Sequence, residues 1–433
     1  MRGFILTLLL AASLPLCASE PLSLERCIAI ALKEDRSLRQ GEITLAENRS
    51  KAALSIMDWI PEINVGAGND FNWGRSVDMQ ELLIVDNHMT LTASFSASAS
   101  FSLTKGFLNG MQREALFLDG KSAELTNSQA ETEVAARVTG AFFQILLCSQ
   151  ACEICRRNSA EIDSKLESAS AEAEAGSRAM ADLYELEAQA YRERFALQEA
   201  RNKLRIAEMT LCDYLNLPPE EGITLLPPTG DSLPAPPDAG IILADDFPKA
   251  PSVELALNRL ERDRIQVRIA KAAFLPDLTV AGGCGTYYSS TGGGGFMEQV
   301  KGNVNPSAGI TLSIPIIDGS ANTRNLAGAR AQLARQEIEV EKVRQEAASA
   351  LREAIAEAAN LYGNCKAAEA GFKAASAVER IAQERFGSGE ISGADYLAAR
   401  NARLRAEAQT LQARYRYLLQ LKLLECRYGI MTY

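Results

Sequence analysis

The chain has 433 residues, and 55 acidic against 45 basic side chains give it a net charge of -10 at pH 7. This balance argues against nucleic acid as a partner, because phosphate binding requires a basic surface. The length is sufficient for two or three ordinary domains.

The first 19 residues have the order of a secretory signal peptide. Arg2 is followed by an uncharged apolar run that ends at Leu16, and then by small residues. An alternative interpretation makes Cys17 the acylated cysteine of a lipoprotein, although Leu16 is bulky for that cleavage. After residue 19, no stretch approaches the roughly 20 uninterrupted apolar residues of a membrane-spanning helix. We therefore expect an exported chain that would cross a membrane only as a β-barrel.

The mature chain is predicted to contain two copies of one unit, residues 20–216 and 252–433. A connector rich in proline and glycine, residues 217–251, separates them. Four pairs of landmarks recur in the same order at nearly the same offset, which indicates an internal repeat. The pairs are Trp59–Pro61 with Phe274–Pro276, Gly106 with Gly319, Gly176 with Gly389, and Asp182 with Asp395.

In chain order, the first copy is predicted to form a helix, two strands, a long helix and a returning helix. The second strand is the clearest, because apolar residues alternate with serine and threonine along its whole length. No proline interrupts the long helix, and Ala, Glu, Gln, Arg and Leu dominate it. The predicted elements are a helix at Leu24–Asp58, strands at Ile63–Trp73 and Leu91–Thr104, a long helix from Phe107 to about Ser170, and a helix at Arg178–Leu215.

The second copy is predicted to repeat this order. The glycine run Gly292–Gly295 lacks a following Gly-Lys-Ser or Gly-Lys-Thr and a helix start, so we interpret it as a loop between strands and not as a phosphate-binding loop. The predicted elements are a helix at Ser252–Ala273, strands at Leu278–Tyr288 and Ile310–Ile316, a long helix from Ser320 to about Phe386, and a helix at Ile391–Tyr428.

The lengths of these elements favour an elongated assembly over a compact domain. A helix of some 65 residues is about 100 Å long at 1.5 Å per residue, beyond the usual globular range. Four strands cannot close into a barrel, and open edges cannot face lipid, so several chains would have to pool their strands. Three chains around a common axis would supply twelve strands and leave a lumen. Two alternatives each explain part of the pattern: a β-sandwich with one solvent-exposed face would account for the strands alone, and a coiled-coil rod would account for the helices alone.

Three cysteines share one face of the first long helix. Cys148, Cys152 and Cys155 are spaced by four and three residues, which permits either a metal or redox site or a row of small apolar side chains. Zinc requires four nitrogen or sulfur ligands, and the chain has one histidine. We favour the packing interpretation, and a periplasmic thiol or metal enzyme is the alternative.

These features together resemble the TolC family of outer-membrane efflux proteins. The resemblance covers essentially the whole mature chain and is carried by the duplicated layout, the two proline-containing strand entries, the segment Leu312–Gly319 and the segment Arg385–Leu397. It implies a mixed α and β membrane protein, a homotrimer with a 12-stranded β-barrel, four strands per chain, continued by a long periplasmic α-helical barrel. The alternative is a structural coiled-coil envelope protein without channel activity.

The resemblance also implies a function and partners. We expect a non-enzymatic exit duct without cofactor or metal, located in the outer membrane of a Gram-negative bacterium and extending into the periplasm. It would contact outer-membrane lipid, a periplasmic adaptor (membrane fusion) protein and an inner-membrane transporter of the RND or ABC type. It would passively conduct solutes from that pump to the exterior.

The functional residues implied by the resemblance lie at the tips of the helical hairpins. Asp395 and Asp182 would ring the narrowest aperture, where symmetry-related carboxylates attract cations. Ser392 to Asp395 also reads as a capping box, and Ala398 stands where the family often has a second acidic ring. Arg178 and Glu390 are candidates for an ion pair that holds the tube shut. The adaptor contacts are Ala175, Gly176, Ser177, Arg178, Phe386, Ser388, Gly389 and Glu390.

Overall fold

The computed structural model describes residues 21–77, 84–175, 179–218, 224–227, 233–237, 250–317 and 319–429. The predicted signal peptide and Cys17 lie outside these residues. The helices are α1 (Leu24–Glu34), α2 (Arg36–Leu54), α3 (Leu103–Glu174), α4 (Met180–Leu215), α5 (Pro251–Ala272), α6 (Phe296–Gly302), α7 (Ala321–Gly387) and α8 (Gly393–Tyr428), with a 3-10 turn at Ser55–Trp59. The strands are β1 (Glu62–Val77), β2 (Ile84–Ser102), β3 (Asp277–Ser289) and β4 (Asn305–Ser313).

The four strands form one antiparallel sheet in the order β1-β2-β3-β4. Both outer strands therefore have one edge without a partner from the described residues of the chain. All four strands join helices or helical turns at one end of the sheet, and the connection from β3 to β4 lies at the other end. The strand predicted at Leu278–Tyr288 is confirmed and is one residue longer at each end.

The sheet has an apolar face and a hydroxylated face, as the alternation predicts. Ala97 pairs with Val65 on one side and with Cys284 on the other, while Ser96 pairs with Gly66 and Gly285. The apolar face is open, because four of its large side chains are 70 to 82% exposed. They are Ile63, Val65, Trp73 and Ile310.

The prediction of one continuous entry helix at Leu24–Asp58 is wrong. The chain leaves the helix at Asp35, which has φ -64 and ψ 128, and resumes it at Arg36. The Asp35 carboxylate accepts hydrogen bonds from the backbone N–H groups of Ser37 at 2.7 Å and Leu38 at 3.3 Å, so it caps the start of α2. A single aspartate thus divides the predicted helix.

Several strand ends also differ from the prediction. The second strand begins earlier than Leu91 and stops at Ser102, because Leu103 and Thr104 already belong to α3. The fourth strand ends at Ser313 and does not continue to Ile316. Pro315 lacks the N–H that a strand ladder needs, and it restricts the residue before it, which accounts for this early end.

The interpretation of Gly292–Gly295 as a loop without a helix start is wrong in part. Gly295 lies at the N-cap of α6, a two-turn helix between β3 and β4. A hydrogen bond from the Asn303 N–H to the carbonyl of Gln299 closes its C-terminal end. The loop of the second copy is therefore structured.

The chain divides into two compact units, of which the first contains the described parts of residues 1–40, 127–250 and 346–433. By length and composition, α3 holds one segment apolar enough to cross a membrane. Its apolar residues from Val134 to Cys148 build the main core of this unit, together with side chains of α1, α2 and α4. The buried residues of this core are Cys27, Ala31, Leu38, Val134, Val138, Phe142, Phe143, Ile145, Leu146, Cys148, Ala207, Leu211 and Leu215.

The second unit contains the described parts of residues 41–126 and 251–345, and therefore the whole sheet. Its helical part is held by small apolar clusters around Ile265 and Leu260. Polar contacts fix α5 against α3, since Asn258 Nδ2 donates to the carbonyl of Leu118 at 2.7 Å and Arg262 Nε donates to Asp119 Oδ1 at 2.5 Å.

Candidate functional site

The turn between α7 and α8 contains most of the described residues predicted at the helical tip. The helix α7 ends at Gly387, and Gly389 has a left-handed φ of +76°. The N–H of Glu390 bonds to the carbonyl of Arg385 at 2.9 Å, and the N–H of Gly389 bonds to that of Phe386 at 3.2 Å. This pair of bonds is the Schellman motif, which confirms the predicted glycine turn at residue 389.

A side-chain cap then starts α8. Ser392 Oγ accepts a hydrogen bond from the N–H of Asp395 at 3.2 Å, and its hydroxyl donates to Asp395 Oδ2 at 2.8 Å. The serine half of the predicted capping box is therefore confirmed, whereas the Asp395 carboxylate bonds to the Ser392 hydroxyl in place of the backbone N–H that a full capping box uses. Asp395 nevertheless stays exposed, as does Ala398 one turn later. The carboxylate thus combines a capping bond with access to solvent.

Asp182 occupies the first turn of α4, whose N-cap Ala179 makes no side-chain hydrogen bond. Its Oδ1 lies 3.2 Å from the position that a Cβ on Gly393 would occupy, and Glu185 Oε2 lies 3.4 Å from the same position. Two acidic side chains therefore face the first residue of α8. Negative charge is favourable there, because the N–H groups of a helix start carry a partial positive charge.

Behind the turn, aromatic side chains pack on one another. The rings of Phe386 and Tyr396 are stacked with centroids 5.1 Å apart, and Lys165 Nζ lies 4.6 Å above the Tyr396 ring. Lys165 also donates to the Tyr396 hydroxyl and, at 2.8 Å, to Glu161 Oε1. Burial disfavours the charged amine, but these two hydrogen bonds outweigh it and raise the pKa of Lys165. The contacts join α3 to α7 and α8.

A buried arginine lies further along α8. Arg400 is fully buried, and its Nη1 donates to Glu193 Oε1 at 2.9 Å while Nη2 donates to the carbonyl of Asn158 at 3.2 Å. Glu161 Oε1 lies 3.9 Å from its Nε. Burial alone would raise the pKa of Glu161, but the hydrogen bond from Lys165 and the nearby cationic charges lower it. We call Arg400, Glu193, Glu161 and Asn158 the Arg400 cluster; it joins α8 to α3 and α4.

A second arginine extends these contacts. Arg403 Nε lies 2.6 Å from Glu379 Oε2 on α7, and its Nη1 donates to Glu407 Oε2 at 2.6 Å. Arg157 on α3 also donates to Glu407. The side chains of Arg403, Glu379 and Glu407 are each at least 85% buried, so these pairs are better shielded from solvent than ordinary surface pairs.

The remaining predicted tip residues are only partly described. Ala175 follows the last residue of α3, while Gly176, Ser177 and Arg178 lie outside the described residues. The predicted pair of Arg178 with Glu390 therefore falls outside them too, and Glu390 lies 3.9 Å from Arg385 Nε in an exposed contact. Ser388 and Glu390 are exposed, and Phe386 is half-buried.

The cysteines on α3 are free thiols. Cys148 is buried and accepts a hydrogen bond from Gln144 Nε2 at 3.3 Å, whereas Cys152 and Cys155 are half-buried. Burial, followed by the charge of Glu193, raises the pKa of Cys155, which disfavours the reactive thiolate. Within the described residues, no group of three or more His, Cys, Asp or Glu side chains is arranged to hold a metal ion.

The sequence did not single out the Arg400 cluster. Charged residues are frequent in these alanine-rich helices, and most of them lie on the surface. The five-residue spacing between Asp395 and Arg400 puts the arginine on a different face of α8 from the exposed aspartate, which is a signal that the arginine could be buried. Its partners on α3 and α4 could not be identified from spacing, because they depend on how the helices pack.

Comparison with known proteins identifies related chains over nearly the full length. A family model described as outer membrane efflux protein matches residues 27–217 and 249–425. A curated relative, Protein CyaE of Bordetella pertussis, is 25% identical over 363 residues, which cover 82% of this chain and 71% of the relative.

Solved structures share the fold at low sequence identity. A membrane protein from Pseudomonas aeruginosa matches with a TM-score of 0.79 and 19% identity, covering 94% of this chain and 90% of that protein. The outer membrane channel CmeC of Campylobacter jejuni matches with a TM-score of 0.80 and 17% identity, covering 94% and 85% respectively.

Proposed function

Because this chain belongs to the outer membrane efflux protein family, whose TolC-like members its sequence resembles, we propose that it is the exit duct of a tripartite efflux or secretion system. Family membership locates it in the outer membrane, with an extension into the periplasm. The duct conducts solutes passively from an inner-membrane pump and a periplasmic adaptor to the exterior.

One observation carries the proposal: the chain has an amphipathic four-stranded sheet whose apolar face is open and whose two outer strands each have an edge that no other described strand pairs with. Lipid cannot satisfy the backbone N–H and C=O groups of such edges, so sister chains have to pair with them. Three copies close a twelve-stranded barrel with the apolar face toward lipid and the hydroxylated face toward a lumen. The long helices α3 and α7, which leave the same end of the sheet, then form a periplasmic tube around the same axis.

The constriction belongs at the free ends of the helical hairpins. Asp395 is exposed at the start of α8, and three copies of it around a narrow axis attract cations. Asp182 adds negative charge beside Gly393, in the adjoining hairpin. The exposed turn at residues 388–390 and the turn that follows α3 at Ala175 are the adaptor contacts. The two repeats, residues 20–216 and 252–433, each contribute one hairpin.

Conductance through a planar lipid bilayer tests the duct. The purified protein should form cation-preferring channels, and Asp395→Asn should reduce the cation preference, because it removes a charge but keeps a side chain that accepts the Ser392 hydrogen bond. Ser392→Ala is the matched control, since it removes the cap, at a cost of about 1 kcal/mol, and leaves the carboxylate in place. Unchanged selectivity in Asp395→Asn would exclude the aperture role. A complete absence of conductance would favour a structural envelope protein.

The pump partnership has a separate test. Export of a fluorescent pump substrate from cells should stop when the gene is deleted, and the chain should copurify with a periplasmic adaptor. Disturbing the α7–α8 turn with Gly389→Leu forces a branched side chain into a left-handed backbone and should weaken that copurification. If the variant conducts normally and still binds the adaptor at the parent level, the turn is not the contact.

A further inference from the structure

The short helix α6 is covered on one side only. It connects β3 to β4 at the end of the sheet remote from the long helices. Phe296 packs on the apolar face of the sheet, with its ring centroid 5.2 Å from that of Tyr288 and 6.3 Å from that of Phe95. The helix therefore lies over the apolar face and not over the hydroxylated one.

Side chains of α6 and of its C-cap residue Asn303 also form hydrogen bonds with the edge of β3 that extends beyond the start of β4. The last pair between these strands is Gly285 with Asn305, so β3 continues for four residues without β4. Buried Gln299 accepts a hydrogen bond from the N–H of Ser289 at 2.9 Å and donates to its carbonyl at 3.1 Å. Asn303 donates to the carbonyl of Tyr287 at 2.9 Å. An edge paired in this way tolerates a nonpolar environment.

The other side of α6 is open and apolar in part. Met297 is 67% exposed, and Val304, just beyond the helix, is 52% exposed. Glu298 folds back over the loop, because its Oε2 lies 3.0 Å from the Cβ position of Gly294. Lys301, in the last turn, is exposed and long enough to reach a phosphate group while its stem contacts acyl chains.

The position of α6 along the strands corresponds to the edge of a bilayer. Thr286 and Tyr288 lie nine and eleven residues after Asp277, where β3 leaves the helical end. At about 3.3 Å per residue and a strand tilt of about 40°, these residues lie roughly 23 to 28 Å from Asp277 along the membrane normal. The apolar band of an outer-membrane barrel is about 25 Å tall. Phe296 and Tyr288 thus fall at the level where aromatic residues flank the hydrocarbon layer.

From these observations we propose that α6 is an interfacial anchor, which inserts Met297 and Val304 into the outer edge of the hydrocarbon layer and places Lys301 among lipid phosphates. The occupant is lipid because the exposed side of α6 continues the open apolar face of the sheet. This inference rests on the proposed orientation of that face toward lipid. It assigns a membrane contact to a loop helix that would otherwise belong to the aqueous exterior.

Quenching of tryptophan fluorescence by brominated lipid tests the anchor. The chain has two tryptophans, so all variants carry Trp59→Phe and Trp73→Phe, and Val65→Trp is the reference, because Val65 is exposed on the apolar face level with Cys284, inside the proposed band. The reporter carries Trp59→Phe, Trp73→Phe and Met297→Trp, and the control carries Ser307→Trp in the same background, on the hydroxylated face. In phosphatidylcholine vesicles brominated high on the acyl chains, the reference and the reporter should each lose about half of their emission, as expected for interfacial depths of roughly 5–10 Å. The control should not change.

The outcomes distinguish a failure of the α6 anchor from a failure of the proposed lipid-facing sheet. If the Val65→Trp reference is quenched and the Met297→Trp reporter behaves like the control, the anchor is excluded and the lipid-facing sheet remains. If the Val65→Trp reference also escapes quenching, the proposed orientation of the sheet fails and the anchor fails with it. Acrylamide added to the water provides the complementary readout, because it should quench the Ser307→Trp control and spare the reporter. Met297 is exposed, so its replacement requires no repacking of the fold.

Discussion

Removal of the Arg400 guanidinium should destabilise the periplasmic helices more than removal of any exposed arginine. Arg400 is fully buried, and its closest charged partner Glu193 keeps 9% of its side-chain surface exposed. Arg400→Leu leaves that carboxylate buried without a cationic partner at hydrogen-bond distance, although Gln189 Nε2 still donates to it at 2.8 Å, and it removes the side-chain donor to the Asn158 carbonyl. Stranding one partner of a buried ion pair costs about 3 to 5 kcal/mol. Arg405→Leu on the same helix, where the arginine is exposed, should cost less than about 0.5 kcal/mol.

The assay is urea unfolding of the detergent-solubilised protein, followed by far-ultraviolet circular dichroism. The double variant Arg400→Leu with Glu193→Leu should recover most of the loss, since replacing both charges with apolar groups is often close to neutral. If Arg400→Leu unfolds at the same urea concentration as Arg405→Leu, the buried pair does not hold these helices together. If the double variant is as unstable as the single one, lost packing is responsible and not the stranded charge.

Three further changes have defined outcomes. Gly393→Ala places a Cβ 3.2 Å from Asp182 Oδ1, so it should displace that carboxylate and lower the melting temperature slightly in thermal unfolding. An unchanged melting temperature would mean that the position accommodates a methyl group without strain. Because folding lowers the pKa of Glu161, the ionised carboxylate stabilises the fold above its unfolded pKa of about 4.3, and this stabilisation is lost as the pH falls through the lower folded pKa. When the free energy of unfolding is measured as a function of pH, the Glu161→Gln variant should lack this loss at acid pH. Tyr417→Phe removes the hydrogen bond to the Pro234 carbonyl and should cost about 1 kcal/mol in urea unfolding. Since burial raises the pKa of Tyr417 to about 12, the variant should also lack a phenol that ionises near pH 12 in an absorbance titration.

The large elements of this fold could be predicted from the sequence because their signals are repeated many times. Alternation over more than ten residues identifies β2, and a proline-free run of some 65 residues identifies α3 and α7. The capping box at Ser392 and the left-handed turn at Gly389 were readable because each depends on neighbouring residues alone. Predictions based on local chemistry or on long periodicity therefore agreed with the structure.

The features that were missed depend on partners distant in sequence or on a single residue. Asp35 interrupts the entry helix because its carboxylate caps α2, yet aspartate is also found within helices. The helix α6 covers the last four residues of β3, which extend beyond the start of β4 at Asn305, so its presence depends on how far the two strands pair. The Arg400 cluster requires three helices to pack in one register. None of these can be read from one segment of the sequence.

In the proposed barrel, the hydroxylated face of the sheet is the wall along which exported solutes would pass. Gly66, Gly68 and Gly283 lie on it beside serines, and a Cβ on Gly283 would lie 3.1 Å from the carbonyl oxygen of Ala97. Glu62 and Asp70 share this face, since they pair with Ser100 and Thr92, so the face combines short hydroxyl groups with carboxylates. In the proposed duct, solutes would meet these short groups and no deep binding site on the described strands, so chemically unrelated molecules could share one outlet.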